Sequence, residues 1–149
     1  MKIEGEMVRA RFLSRNNRFS VLAELADGGR GEGGFECHLP NPGRLKELLV
    51  PGAELLFRPA KNPDRRKTKF DVFAAVADAG AVVVDLQVAN TIMREASGFG
   101  ELPRFSGYEL VKSEPAYGKG RLDFLLAGEK LCLVEVKSCT LVRDGIALF

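Results

Sequence analysis

Two units are predicted along this 149-residue chain, an all-β barrel in residues 1–80 and a mixed α/β unit in residues 81–149. Three observations carry that division. The first half is a series of short apolar runs separated by turn residues, with no helical period. A single stretch of helical period begins near residue 85. The charge balance also changes, from 14 Lys/Arg against 11 Asp/Glu before residue 81 to 8 against 9 after it. Hydrophobic residues make up 46% and charged residues 28%, the balance of a folded globular chain rather than of a disordered or coiled-coil one.

Met7–Leu13 and Phe19–Leu25 flank the polar Ser14–Arg18 and read as a hairpin. The glycine-rich connector 27–34 has no strand–loop–helix setting, so it fits no phosphate-binding fingerprint. Phe35–Leu39 is the third strand. Asn41-Pro42-Gly43-Arg44 has Pro second and Gly third, which predicts a type II turn. Leu45–Leu49 then gives one helical turn, stopped by Pro51-Gly52. Ala53–Arg58 and Lys69–Ala77 complete five strands. Five short strands with a small helical piece between the third and fourth predict a Greek-key barrel of the OB type.

The second unit opens on the β-branched strand Ala81–Val84, with Asp85 as helix N-cap. Helix runs to about Ser97 and is ended by Gly98 and Gly100. Glu109–Pro115, Arg121–Ala127 and Lys130–Lys137 follow as a meander, its last two strands joined around Gly128-Glu129.

Composition narrows the function classes. No run approaches the roughly 20 apolar residues that a membrane helix needs. Met1-Lys2-Ile3-Glu4-Gly5-Glu6 is acidic where a secretory signal is basic and then apolar. Three cysteines without a Cys-x-x-Cys pair support neither a disulfide framework nor a zinc ribbon. A cytoplasmic protein with no membrane partner is expected.

The positive excess of the first half is concentrated between Arg58 and Lys69. Arg58, Lys61, Arg65, Arg66, Lys67 and Lys69 stand there against one acid, Asp64, around the turn residues Asn62-Pro63. Such a loop either neutralises phosphates, giving salt-dependent affinity, or is a solvated tip. His38, beside Cys37, lacks further ligands at metal spacing and reads as a turn-edge residue with nucleic-acid contact as a secondary use. Arg44, just past the turn, is a phosphate contact or a surface arginine. The barrel-half phenylalanines are mostly core, with one or two open to stack on bases.

Chemistry is concentrated in the hairpin of residues 121–137. Alternation places Glu135 and Lys137 on one face and Cys132, Val134 and Val136 on the other. Both strands are apolar enough to be covered centrally, where an unpaired carboxylate costs several kcal/mol. Asp123 lies nearly opposite Glu135 across the turn. Two carboxylates and a backbone carbonyl make a hard oxygen site for Mg²⁺ or Mn²⁺. Lys137 can then deprotonate a water or clamp charge on a phosphate, and the sequence does not decide between them. Asp-x₁₂-Glu-x-Lys is the pattern of PD-(D/E)XK nucleases, with a cross-strand surface ion network as its alternative.

The wording of these segments goes further. Tyr117–Leu126, Val134–Val142, His38–Leu45 and Asn90–Ala96 closely resemble the signature segments of the sugar fermentation stimulation protein A family, in order and across nearly the whole chain. The resemblance implies an OB-fold domain followed by a PD-(D/E)XK nuclease-like domain, and DNA binding. It assigns Asp123 as a metal-binding aspartate, Glu135 and Lys137 as the Glu-x-Lys pair, and Glu95 as an added helix carboxylate ligand. Val88, Ile92, Glu95 and Phe99 fall on one helical stripe, which also brings Glu95 to an apolar side; a surface glutamate is the alternative, and Glu114 competes for the role. Gly120 stands where the family often has serine. Members of the family continue past the segment matching Ile146–Phe149, so a fragment with an uncovered sheet face is expected, with self-association as a consequence. The expected function is DNA binding with a Mg²⁺- or Mn²⁺-dependent phosphodiesterase site. The rival is a non-catalytic DNA-binding regulator of sugar metabolism, and RNA binding through the barrel is a third option.

Overall fold

The computed structural model describes residues 3, 6–25, 34–78, 80–98, 102–143 and 146–148. The chain divides into one unit of Lys2–Leu86 with Cys139–Phe149 and another built on Gln87–Ser138.

In the first unit, β1 (Val8–Asn17), β2 (Ser20–Leu25), β3 (Phe35–His38), β4 (Glu54–Pro59), β5 (Phe70–Ala77) and β6 (Gly80–Val83) form one sheet in the order β3-β2-β1-β4-β5-β6. A further parallel pairing, His38 with Asp71, joins β3 to β5 and closes five strands into the OB-type barrel that the sequence predicts. β1 can serve two partners because it bends. Its first residues pair with β4 and its later ones with β2, with register shifts between Phe12 and Ser14 and between Arg15 and Asn17. Alternation sends Ala10, Phe12, Val21, Ala23, Cys37, Leu55, Phe57 and Val72 inward to a common core. The glycine-rich connector lies outside the described residues apart from Gly34.

The segment after β3 departs from expectation at one point. Gly43 has no positive φ, so Asn41–Arg44 is not a type II turn. The buried Asn41 side chain instead accepts the Gly43 N–H at 2.8 Å and donates to the Val84 carbonyl at 2.9 Å. Glycine is needed there for closeness, since a Cβ would meet Asn41 Oδ1 at 2.8 Å. The residue with positive φ is Leu45, at 50°, and it starts the single turn closed by the Leu49 N–H on the Leu45 carbonyl at 2.8 Å. Leu45 and Leu49 thereby enter the barrel core. Arg15 fastens this turn to the β1–β2 hairpin, donating to the carbonyls of Asn41, Gly43 and Arg44 at 2.6 to 3.1 Å and to those of Asn17 and Arg18.

The boundary also differs. The strand expected to open the second unit is β6, which pairs with β5, and Val84 lies in the barrel core. The units therefore part after Leu86 rather than at residue 80. The reason is packing: Val82 and Val83 complete a ladder that the free edge of β5 would otherwise leave open. Asp85 is buried and its carboxylate pairs with Arg58, whose guanidinium lies 5.9 Å from the centre of the Phe73 ring.

The second unit holds α1 (Leu86–Gly98) and an antiparallel sheet of β7 (Glu109–Ser113), β10 (Phe124–Ala127) and β11 (Leu131–Val134), in the order β11-β10-β7. A small hairpin, β8 (Ala116–Tyr117) and β9 (Gly120–Arg121), interrupts the meander; β12 (Val142–Arg143), which pairs with β13 (Ile146–Ala147), falls in the segment grouped with the first unit. Phe124 and Leu126 are buried, and the Arg94 guanidinium of α1 lies 5.7 Å from the Phe124 ring centre. The helical stripe is shifted from expectation: Val88 and Ala96 are buried, Ile92 is exposed, and Phe99 and Gly100 lie outside the described residues. The hairpin is not covered on both faces either, because Leu131 is 74% and Leu133 41% exposed. Among the described residues no helix is long and apolar enough to cross a membrane.

Candidate functional site

The register of β10 with β11 pairs Phe124 with Val134 and Leu125 with Leu133. The ladder ends there, and just before it the Asp123 N–H donates to the Val134 carbonyl at 3.1 Å. Asp123 sits just before β10, where the strand has turned in from the β8–β9 hairpin. One of its oxygens, Oδ2, accepts the Val136 N–H at 2.7 Å. The other, Oδ1, accepts the side-chain amide of Asn90 from α1 at 2.9 Å. Glu135 and Lys137, which the sequence expects within the strand, lie just past the end of β11 at Val134 and form an ion pair with each other.

Asp123 is thus fastened to the segment that carries Glu135 and Lys137, in a setting other than the one expected. Glu135 and Lys137 are exposed, so the cost of burying charge is not what marks this place. The hydrogen bond from Lys137 to Glu135 raises the ammonium's pKa; burial opposes it, and the charges of Glu135 and Asp123 add to the rise. Asp123 and Glu135 supply the kind of ligand that Mg²⁺ takes, one or two carboxylates with several waters kept.

Glu95 does not complete this set. Among the described residues no three His, Cys, Asp or Glu side chains are gathered closely enough to hold a metal ion. Helix geometry gives the reason. It is Asn90 that touches Asp123, and Glu95 is about 140° further round the helix and about 7.5 Å further along it. Glu95 is half-buried and engaged with another group. Glu114, the competitor, has φ 52° and its carboxylate lies 3.9 Å from Arg121. Asn90 is the residue that the pattern search missed. It stands in a quoted signature segment, but its amide carries no charge and no metal-ligand spacing draws attention to it.

On the barrel, the seven predicted nucleic-acid contacts separate into two groups. His38 and Arg66 both bind Asp71, at 3.1 Å and 2.7 Å. Burial alone would raise the Asp71 pKa, but the hydrogen bonds from Arg66 and His38 outweigh it and hold the carboxyl below the usual range. Lys67 pairs with Glu36 at 2.9 Å, and Ser20 donates to the same carboxylate. These three side chains fasten β3 to β5 and to the loop before it, along one seam. Arg44, Lys61, Arg65 and Lys69 are exposed and have no side-chain partner among the described residues. Of the phenylalanines, Phe35 and Phe70 line a pocket of about 550 Å³ whose rim carries Lys67 and Lys69.

Comparison with known proteins agrees with both halves. The family described as the SfsA N-terminal OB domain matches residues 13–84, and that described as the Sugar fermentation stimulation protein RE domain matches residues 87–149. A sugar fermentation stimulation protein homolog of Moorella thermoacetica is 42% identical over 151 residues, covering 100% of this chain and 63% of the relative. One from Methanothermobacter thermautotrophicus is 41% identical over 150 residues, covering 100% of this chain and 60% of the relative. A solved structure of Pyrococcus furiosus SfsA in complex with Ca²⁺ superposes with a TM-score of 0.86 at 25% identity, covering 100% of this chain and 61% of that one. The chain thus spans about three-fifths of the length of these relatives. With an OB barrel, a following α/β unit and a family match to each, it belongs to the sugar fermentation stimulation protein family.

Proposed function

We propose that this chain binds DNA through its barrel unit and carries, in its second unit, a Mg²⁺- or Mn²⁺-assisted site for phosphodiester hydrolysis. The observation that supports the site is the Val136 N–H bond to Asp123, which fastens that carboxylate to the segment carrying the Glu135–Lys137 ion pair. Asp123 and Glu135 would hold the cation, which when bound would lower the pKa of a water and neutralise phosphate charge. Lys137 would release Glu135 and donate to a non-bridging phosphate oxygen, where charge grows as the bond to water forms. Arg44, Lys61, Arg65 and Lys69 would hold the backbone of the nucleic acid by counterion release. That the Pyrococcus furiosus relative is described in complex with Ca²⁺ supports a hard-cation site, since Ca²⁺ takes the same carboxylate ligands. Three free cysteines support a reducing, cytoplasmic setting.

The test is nicking of supercoiled plasmid with Mg²⁺ or Mn²⁺. Asp123→Ala should abolish divalent-dependent nicking and leave DNA affinity nearly unchanged; unaltered nicking in that variant would remove the hydrolytic site. A second reading, DNA binding in sugar regulation without turnover, is favoured by the lack of a third gathered carboxylate among the described residues. Under it, DNA retention survives chelation and no metal elicits nicking.

A further inference from the structure

We infer that Asn90 is a positioning residue for the Asp123 carboxylate, turning it toward the face where Glu135 and Lys137 stand. This rests on the cation site proposed above. The Asp123 carboxylate is held at both ends, Oδ1 by the Asn90 amide at 2.9 Å and Oδ2 by the Val136 N–H at 2.7 Å. Each oxygen has two lone-pair directions, so one bond at each fixes the plane of the group and leaves one direction at each oxygen for a cation.

The two donors come from different elements. Val136 stands between Glu135 and Lys137, so it ties Asp123 to the segment carrying the other two charged groups. Asn90 lies in the second turn of the 13-residue helix α1 and supplies the anchor that a side-chain substitution deletes without altering the backbone. The kind of donor matters as much as its place. An arginine or lysine at position 90 would also fix the carboxylate, but would cancel the charge that attracts a metal ion. A neutral amide orients the group and leaves its charge in place. Groups that orient a ligand from behind in this way are commonly worth 10- to 100-fold in metal affinity.

The experiment uses Mn²⁺ alone as probe, with the free ion followed by its electron paramagnetic resonance signal, on the whole chain. Asn90→Leu keeps the volume and removes the donor, and should weaken Mn²⁺ binding by about 10- to 100-fold. Asn90→Gln keeps an amide within reach and should recover part of that loss. Thermal unfolding midpoints of the variants should stay close to that of the parent chain. Should the leucine variant unfold, Asn90→Ser, whose hydroxyl is too short to reach Asp123, carries the same expectation. Parent and Asn90→Leu chains with equal Mn²⁺ affinity, while Asp123→Ala loses it, would overturn the role of Asn90 and spare the site. A parent chain that binds no Mn²⁺ would instead overturn the cation site, and the role of Asn90 with it.

Discussion

The separation of the barrel's cations into two groups gives a quantitative prediction. Lys61, Arg65 and Lys69 lie exposed without partners among the described residues, whereas Arg66 is bound to the nearly buried Asp71. Replacing the three exposed cations together by alanine removes three candidate phosphate contacts. Each contact contributes about 0.9 to the slope of log affinity against log salt on duplex DNA, so the slope should fall in magnitude by about 2.7. At about 0.15 M salt that amounts to roughly two orders of magnitude in affinity. Arg66→Ala should behave differently. It strands the Asp71 carboxylate with His38 alone, so it should cost about 2 kcal/mol of barrel stability while changing the salt slope little. Fluorescence anisotropy of labelled DNA between 50 and 200 mM salt gives the slopes, and urea unfolding gives the stability. An unchanged slope in a folded triple variant would refute the assignment. So would an Arg66→Ala chain of full stability whose slope has dropped by about one.

Two further outcomes follow from the same seam. Because the Asp71 carboxyl is held below its ordinary range, its contribution to stability is complete above the unfolded carboxylate value near 4 and is lost as pH falls through the folded value. Urea unfolding should therefore weaken below about pH 4, and Asp71→Asn should remove part of that acid dependence; an identical pH profile in the variant would count against it. Burial, with Asp71 and Glu36 adding to it, pushes the Cys37 thiol up to about 12. Iodoacetamide at pH 8 should spare Cys37 in the native chain and modify it on unfolding, read by mass spectrometry after digestion. Cys37 labelled as fast as Cys132 in the native chain would contradict this.

Much of the fold is legible in the residues because its signals are local. Ala10, Phe12, Val21 and Ala23 alternate, and β1 to β5 fall close to the runs that alternation marks. The hairpin that follows Asp123 is legible for the same reason, since its short turn fixes the register of β10 on β11. What misled was context. Pro42-Gly43 carries type II chemistry, but the Asn41 side chain, anchored on distant Val84, captures the Gly43 N–H first. Val82 and Val83 read as a strand correctly, yet nothing in them says which sheet they join.

By itself, then, the sequence determined the barrel strands, the helix and the hairpin leading to Asp123, Glu135 and Lys137, all fixed by periodicity and short connections. Only tertiary structure decided which cations are anchored, that Asn90 rather than Glu95 meets Asp123, and that β6 closes the barrel's edge. Those outcomes depend on contacts between residues up to 43 positions apart, as between Asn41 and Val84. Such contacts form only after the backbone is folded, when buried hydrogen-bonding groups must find partners wherever the packing places them.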